Sequence, residues 1–299
     1  MSSLAPRVVL VSRPSEYTEL LATHATRGQA AFFLKSRGQN LDQIQARDRE
    51  QNHAINAAKN SIPMDWSFAH VLREDLSRFL FFPNDIVVAI GQDGLVANLA
   101  KYLDGQSVIG ISPDPTISEG ILTPYDVSVL DSALPAIANH DIGLTPLAMV
   151  QANIGNGMVL NALNELFIGH RSHQSARYTI QHGGKQEFQS SSGVIVATGT
   201  GLTGWAKSIM HATQHPVHIK PNESRAAFFA REPWPSRTSG SEINAGQIDQ
   251  SNALKIVSRM NDGGVIFADG IEQDFLTFNW GTKAKVSMAD KQLQMVQAV

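Results

Sequence analysis

The chain has 299 residues, 42% hydrophobic and 17% charged, with a formal net charge of -3; it can bury a substantial core, and its length suits two domains or one elaborated domain. The slightly negative balance excludes a broad positive field of the kind that binds nucleic acid or anionic membranes, so neither partner is expected. There are no cysteines, which excludes disulfides, thiolate catalysis and Cys-ligated metal sites and fits a reducing, cytoplasmic location.

Val8 to Val11 is a continuous β-branched run, far too short for a signal segment or a membrane span, and reads as a strand buried on both faces of a parallel sheet. Helical character follows from Ser15. The Gln-, Ala- and Arg-rich stretch from Asn40 to Asn60 carries few apolar anchors and reads as an exposed helix. Ile86 to Ile90 is the strongest strand signal of the first half, and it runs directly into Gly91-Gln92-Asp93-Gly94 and then into helically spaced apolar residues from Leu95 to Leu103. A further strand, Ser107 to Ile111, is stopped by Pro113 and Pro115, so two parallel strands enclose one helix.

Beyond Asp141 the apolar segments become short and frequent: Arg177 to Ile180, Val194 to Thr198, Ala226 to Ala230, Val265 to Ala268, Phe275 to Phe278 and Lys283 to Ser287. Gly, Pro, Asn and Ser separate them, as in antiparallel sheets. The expected organisation is a Rossmann-like α/β domain over 1–141 carrying the Gly91–Gly94 turn, and a β-rich, sandwich-like domain over 142–299 whose last segment is free to return to the first.

Three constellations could carry chemistry. Gly91-Gln92-Asp93-Gly94 lies where a parallel strand meets a helix N-terminus, the ligand position of open α/β sheets, with backbone N–H groups suited to phosphate. Asp93 could orient a hydroxyl, accept its proton or help to hold Mg²⁺; a plain Asp-Gly turn is the alternative. Thr198-Gly199-Thr200-Gly201-Leu202-Thr203-Gly204-Trp205 follows a strand and opens a helix, offering hydroxyls and bare backbone to a nucleotide or sugar. Close packing is the alternative there. Asn164-Glu165 sits between apolar flanks, so its polar groups need partners, whether a ligand or the protein itself.

In this order and at these separations, GQDG, NE and TGTGLTGW resemble the GGDG, NE and TPTGSTAY-like motifs of the NAD kinase family. The resemblance covers about residues 84–299 and includes Val108 to Ile111 and Ala268-Asp269-Gly270. It implies an N-terminal α/β domain and a C-terminal β-rich domain, the use of ATP and Mg²⁺, and a homodimer or homotetramer. It also implies roles: Asp93 activates the acceptor hydroxyl, Gly91, Gln92 and Gly94 line the phosphate site, Asn164 and Glu165 contact the dinucleotide, Thr198, Thr200, Gly201 and Thr203 border its pocket, and Asp269 stands at its edge. The chain departs from the family pattern at Gln92, at Ser192 in place of an Asp, and at Gly199, Leu202 and Trp205.

His170 with His173, and His211 with His215, have spacings that could share a helix face, but no HExxH accompanies them and no metal ligand is assigned. The His170–Arg177 run offers Arg171 and Arg177 as phosphate or ribose contacts, or simply a surface loop. The leading expectation is phosphorylation of the 2′-hydroxyl of NAD to give NADP. A kinase of the same fold acting on a sugar or lipid hydroxyl, and a non-catalytic NAD(P) sensor, are the rivals. ATP versus polyphosphate, NAD versus NADH, the oligomer size and any effector are open at this level.

Overall fold

The computed structural model describes residues 5–114, 120–155 and 157–297. The chain divides into two compact units: Met1–Thr145 together with Gln294–Val299, and Pro146–Leu293.

The first unit contains β1 (Arg7–Ser12), α1 (Glu16–His24), α2 (Arg27–Lys35), α3 (Leu41–Asn60), β2 (Ser67–Leu72), β3 (Ile86–Ile90), α4 (Asp93–Ala100), β4 (Ser107–Ile111) and α5 (Leu130–Ala138). Its strands run β2-β1-β3-β4, all parallel, in registers such as Val8 against Ile86 and Val88 against Ile109. All five residues of β3 are buried, which is why this strand reads as an uninterrupted apolar run. Val8, Leu10, Val88, Ile90, Ile109 and Ile111 pack on α3 and α5 across one sheet face.

The expectation of a merely exposed helix over Asn40 to Asn60 is corrected here. α3 buries Leu41, Ile44, Ala54, Ile55 and Ala58, and Ala54, Ile55 and Ala58 join the sheet core. Ala54 and Ala58, one turn apart, give little hydropathy signal, yet their small side chains allow close packing on the strands. Ser15 caps α1 by accepting from the Thr18 N–H, in keeping with the helical start read there.

The second unit holds β5 (Leu144–Ile154), β6 (Met158–Ala162), β7 (Glu165–His170), β8 (Ala176–His182), β9 (Lys185–Ser191), β10 (Val194–Thr198), α6 (Trp205–Thr213), β11 (Ala226–Ala230), β12 (Ala245–Ile248), β13 (Leu254–Ser258), β14 (Gly264–Ala268), β15 (Ile271–Thr277) and most of β16 (Lys283–Val296). One antiparallel sheet runs β12-β11-β10-β7-β14-β15; a second contains β16-β13-β8-β9. Ile168, Val196, Phe228 and Ile266 of the first meet Tyr178, Ile180, Ile256 and Val286 of the second in one core, which makes this a β-sandwich. The opposite face of the six-stranded sheet is covered by α6 through Ala206, with Ile209 and Met210 beside it.

The last residues of β16 belong to the first unit, where Gln294 and Met295 pair parallel with Ser107 and Val108. β2, α2, α5, β5, β6, β7, β9, β12 and β13 have no counterpart among the elements read from the sequence.

Candidate active site

In the first unit, β3 delivers the Gly91–Gly94 turn to the C-terminal edge of the sheet, and the Gly91 N–H donates to the Ile111 carbonyl at 2.9 Å, tying the turn to the end of β4. Gln92 occupies the N-cap position of α4 without a side-chain capping bond. Its side chain is exposed, and Oε1 accepts from Nη2 of Arg13 at 3.3 Å. Beyond Gly94 there is open space.

Asp93 is half-buried and already engaged. Its Oδ1 accepts from the Leu122 N–H at 2.9 Å, the Thr123 N–H at 3.0 Å and the Thr123 hydroxyl at 3.1 Å, while Oδ2 accepts from the Ile121 N–H at 2.8 Å. Three backbone donors and a hydroxyl converging on one carboxylate form a strong, charge-assisted anchor. That anchor holds residues 121–123 against β4, where a Cβ on Gly110 would lie 1.8 Å from the Leu122 carbonyl oxygen. Read from sequence, Asp93 is a free carboxylate facing a ligand; in the structure it is also a fastener, with lone-pair capacity left mainly on Oδ2.

In the second unit, three sequence motifs meet. Asp269 and Gly270 have φ of 51° and 71° and form the two-residue turn of the β14–β15 hairpin, the Asp-Gly chemistry that such turns favour. The Asp269 carboxylate accepts the N–H groups of Leu163 at 3.0 Å, Asn164 at 2.7 Å and Glu165 at 3.2 Å. It thereby fixes the bend between β6 and β7 that carries the Asn-Glu pair.

Thr198, at the end of β10, donates its N–H to the Asn164 carbonyl at 2.9 Å and its hydroxyl to the Leu163 carbonyl at 2.5 Å, and its Oγ1 accepts from the Gly201 N–H at 3.2 Å. A Cβ on Gly201 would sit 2.0 Å from the Asn164 carbonyl oxygen, and one on Gly199 would sit 2.3 Å from that of Lys220. The glycines of this loop therefore serve close backbone packing, the alternative that the sequence offers. Thr203 is exposed and donates its hydroxyl to the Thr200 carbonyl at 2.9 Å.

Two buried polar atoms in this cluster, Asn164 Oδ1 and Thr200 Oγ1, have no hydrogen-bond partner. Beside them, burial and the charge of Asp269 push the Glu165 carboxyl up to about 7. Buried polar atoms without partners are costly unless a ligand completes them. The cluster is thus suited to receive hydroxyl or amide groups.

The departures from the family pattern have distinct consequences. Leu202 packs into the core under α6. Trp205 stacks on Phe167 at 6.0 Å, with the Arg231 guanidinium 5.1 Å from its ring. Ser192 is exposed and donates its N–H to the Arg231 carbonyl at 2.8 Å.

The histidine pairs do not share helix faces. His170 closes β7 and His173 lies in the next loop, while His211 is on α6 and His215 follows the left-handed Gln214 that ends it. Arg171 is in the exposed loop after β7, and Arg177 is exposed on β8. Among the described residues no three His, Asp or Glu converge as metal ligands, and no helix is long and apolar enough to cross a membrane. Sequence reasoning misses Arg13, Thr123 and Ser112. For Arg13 and Ser112 a signal exists, since each lies at the C-terminal end of a parallel strand.

No family model matches the sequence. Among curated proteins, NAD kinase 2 of Halalkalibacterium halodurans is 24% identical over 219 residues, covering 71% of this chain and 78% of that protein. The NAD kinase of Streptococcus pneumoniae is 28% identical over 234 residues, covering 74% and 83%. Among solved structures, yeast NADH kinase complexed with NADH superposes with a TM-score of 0.60 at 14% identity, over 100% of this chain and 85% of that one. An NAD kinase from Archaeoglobus fulgidus in complex with ATP gives a TM-score of 0.60 at 15% identity, over 97% and 93%. The structural likenesses carry the fold, and in sequence the chain is similar to these NAD kinases over about three quarters of its length.

Proposed function

We propose that the chain transfers the terminal phosphoryl group of ATP to the 2′-hydroxyl of the adenosine ribose of NAD, giving NADP and ADP. The observation that carries this reading is the cluster in the second unit, where Asn164 Oδ1 and Thr200 Oγ1 are buried without partners beside a Glu165 carboxyl raised to about 7. Such a site completes itself by binding a ligand rich in hydroxyl and amide groups, and the curated relatives are named NAD kinases. A sugar or lipid acceptor, or a non-catalytic sensor, draws no support from them.

In this reading Asn164, Glu165, Thr198, Thr200, Gly201 and Thr203 hold and border the dinucleotide, with Asp269 fixing the bend that presents the first two. Near neutral pH Glu165 is able to act either as donor or as acceptor toward a ribose hydroxyl. Gly91, Gln92 and Gly94 leave the backbone at the start of α4 open to phosphate. Asp93 receives the proton of the attacking 2′-hydroxyl at Oδ2, the oxygen with one protein donor. Phosphoryl transfer through a loose transition state needs alignment and charge stabilisation more than a strong base, so a carboxylate suffices. Mg²⁺ bound with ATP would supply neutralisation of the phosphate charge; among the described residues no group of three His, Asp or Glu is placed to hold it. A homodimer or homotetramer in the cytoplasm completes the proposal.

The test is to incubate the purified chain with ATP, Mg²⁺ and NAD and to detect NADP with an NADP-specific dehydrogenase. Accumulation of NADP with turnover supports the assignment. A folded protein that binds ATP and makes no NADP refutes it.

A further inference from the structure

The outer face of the β16-β13-β8-β9 sheet in the second unit is strongly one-sided in charge. Along each strand, side chains that fill the sandwich core, such as Ile180, Ile256 and Val286, alternate with ones that point away from it. Five of the outward residues are cations: Arg177 on β8, Lys255 on β13, Arg259 just beyond it, and Lys283 and Lys285 on β16. The outward positions between and beside them, including Thr179, Gln181, Val257 and Ser287, hold no carboxylate.

Like charges are set across the ladder. Lys255 stands opposite Lys285, and the Arg259 N–H donates to the Arg177 carbonyl at 2.8 Å, which places the two arginines side by side. Like charges directly opposite one another destabilise a sheet, and none of the five forms an ion pair among the described residues. The formal net charge of -3 is therefore an average that conceals a local surplus. The fold gathers positive charge on one face, at some expense to the sheet, and an anionic partner would relieve the repulsion.

We propose that this face docks on an anionic lipid surface. A sheet face presents its charges in one broad layer, which suits a laterally uniform array of headgroups. Trp280, in the turn before β16, is 59% exposed, and the Arg259 guanidinium lies 5.3 Å from its ring. Met158 and Val159, each 44% exposed, are at the same end of the sheet, because β5 ends beside Lys283, whose carbonyl accepts the Gly155 N–H at 3.4 Å. An indole and apolar side chains next to cations are the composition that settles at headgroup level. A single nucleic-acid strand would call for a row of rings to stack its bases, and among the outward positions of β8, β9 and β13 only Phe188, half-buried, carries one. A second copy related by a two-fold axis through this face would set the cations against themselves.

Each Lys or Arg near an anionic leaflet strengthens binding about fivefold, so the face gives reversible, salt-sensitive attachment.

Sedimentation of the full chain with phosphatidylcholine vesicles, with and without about one-third phosphatidylserine, tests this. Binding is expected to the anionic vesicles alone, and it should disappear between about 0.1 M and about 1 M salt as the screening length falls from about 10 Å to about 3 Å. Lys285→Glu places a carboxylate opposite Lys255, so it should keep or raise the thermal midpoint while weakening vesicle binding at least about tenfold. Lys283→Glu, opposite Val257, gives a second reading of the same loss. Trp280→Ala should weaken binding and leave its salt dependence unchanged. Lys35→Glu, the same change of net charge at an exposed position of α2, should leave binding as it is. No binding to anionic vesicles, an equal loss in Lys35→Glu and Lys285→Glu, or capture of a single-stranded oligonucleotide or of polyglutamate in preference to the vesicles overturns the proposal. All of these readouts are of binding to the outer face, so their failure leaves the kinase reading untouched.

Discussion

Glu165→Gln removes a carboxyl that burial and the nearby Asp269 charge push from 4.5 up to about 7 while keeping the side-chain shape. A shift of that size corresponds to about 3 kcal/mol between the two protonation states, and partial solvent exposure lowers the expected effect to about 2 kcal/mol. The sign follows from proton binding: between pH 4.5 and 7 the folded protein holds a proton at Glu165 that the unfolded chain has released. The wild type therefore has its full stability from this group below pH 4.5 and loses it as pH rises through about 7. The amide of the Glu165→Gln variant cannot ionise, so the variant escapes this loss and gains on the wild type by about 2 kcal/mol between pH 5 and pH 8. Urea unfolding followed by tryptophan fluorescence at several pH values reads the difference, since Trp205, Trp234 and Trp280 all lie in the second unit. A gap between variant and wild type that is independent of pH, or that favours the wild type more at pH 8 than at pH 5, would refute the assignment of a buried, charge-coupled carboxyl.

Asp93→Asn turns an acceptor into a partial donor facing the N–H groups of Leu122 and Thr123, at a cost of about 2 kcal/mol. Its thermal midpoint should fall by about 4–8 °C; an unchanged midpoint by scanning calorimetry would remove the anchoring role, and lost turnover with full stability would assign Asp93 to proton transfer alone. Gly201→Ala places a methyl 2.0 Å from the Asn164 carbonyl oxygen, so the bend carrying Asn164 and Glu165 must move. That variant is expected to lose both stability and NAD binding, and NAD affinity equal to the wild type by calorimetry would separate the loop from the dinucleotide site.

Much of the local architecture is legible in the linear sequence because it depends on neighbouring residues. Val194–Thr198 and Ala226–Ala230 emerge as strands with the boundaries read from their apolar runs, and Ile86–Ile90 does so because a strand covered on both faces has no polar interruption. The strand–turn–helix unit around Gly91–Gly94 follows from the change of hydrophobic period from continuous to helical. β2 escapes the sequence reading because its outer residues Ser67 and Phe68 are exposed at a sheet edge, leaving a weak pattern. α3 reads as a solvated helix because two of its three contacts with the sheet core are alanines, whose burial depends on what lies opposite.

What the sequence determined by itself is the set of polar and glycine residues at strand ends and their order along the chain, which carries the resemblance to NAD kinases. Only the tertiary structure decided what those residues do. Asp93 fastens residues 121–123, Asp269 folds back onto a bend that begins 106 residues earlier at Leu163, and Gly201 yields space to Asn164. These pairings are long-range hydrogen bonds and close contacts created when strands of distant sequence are brought edge to edge, and no local propensity encodes which distant partner a carboxylate will meet.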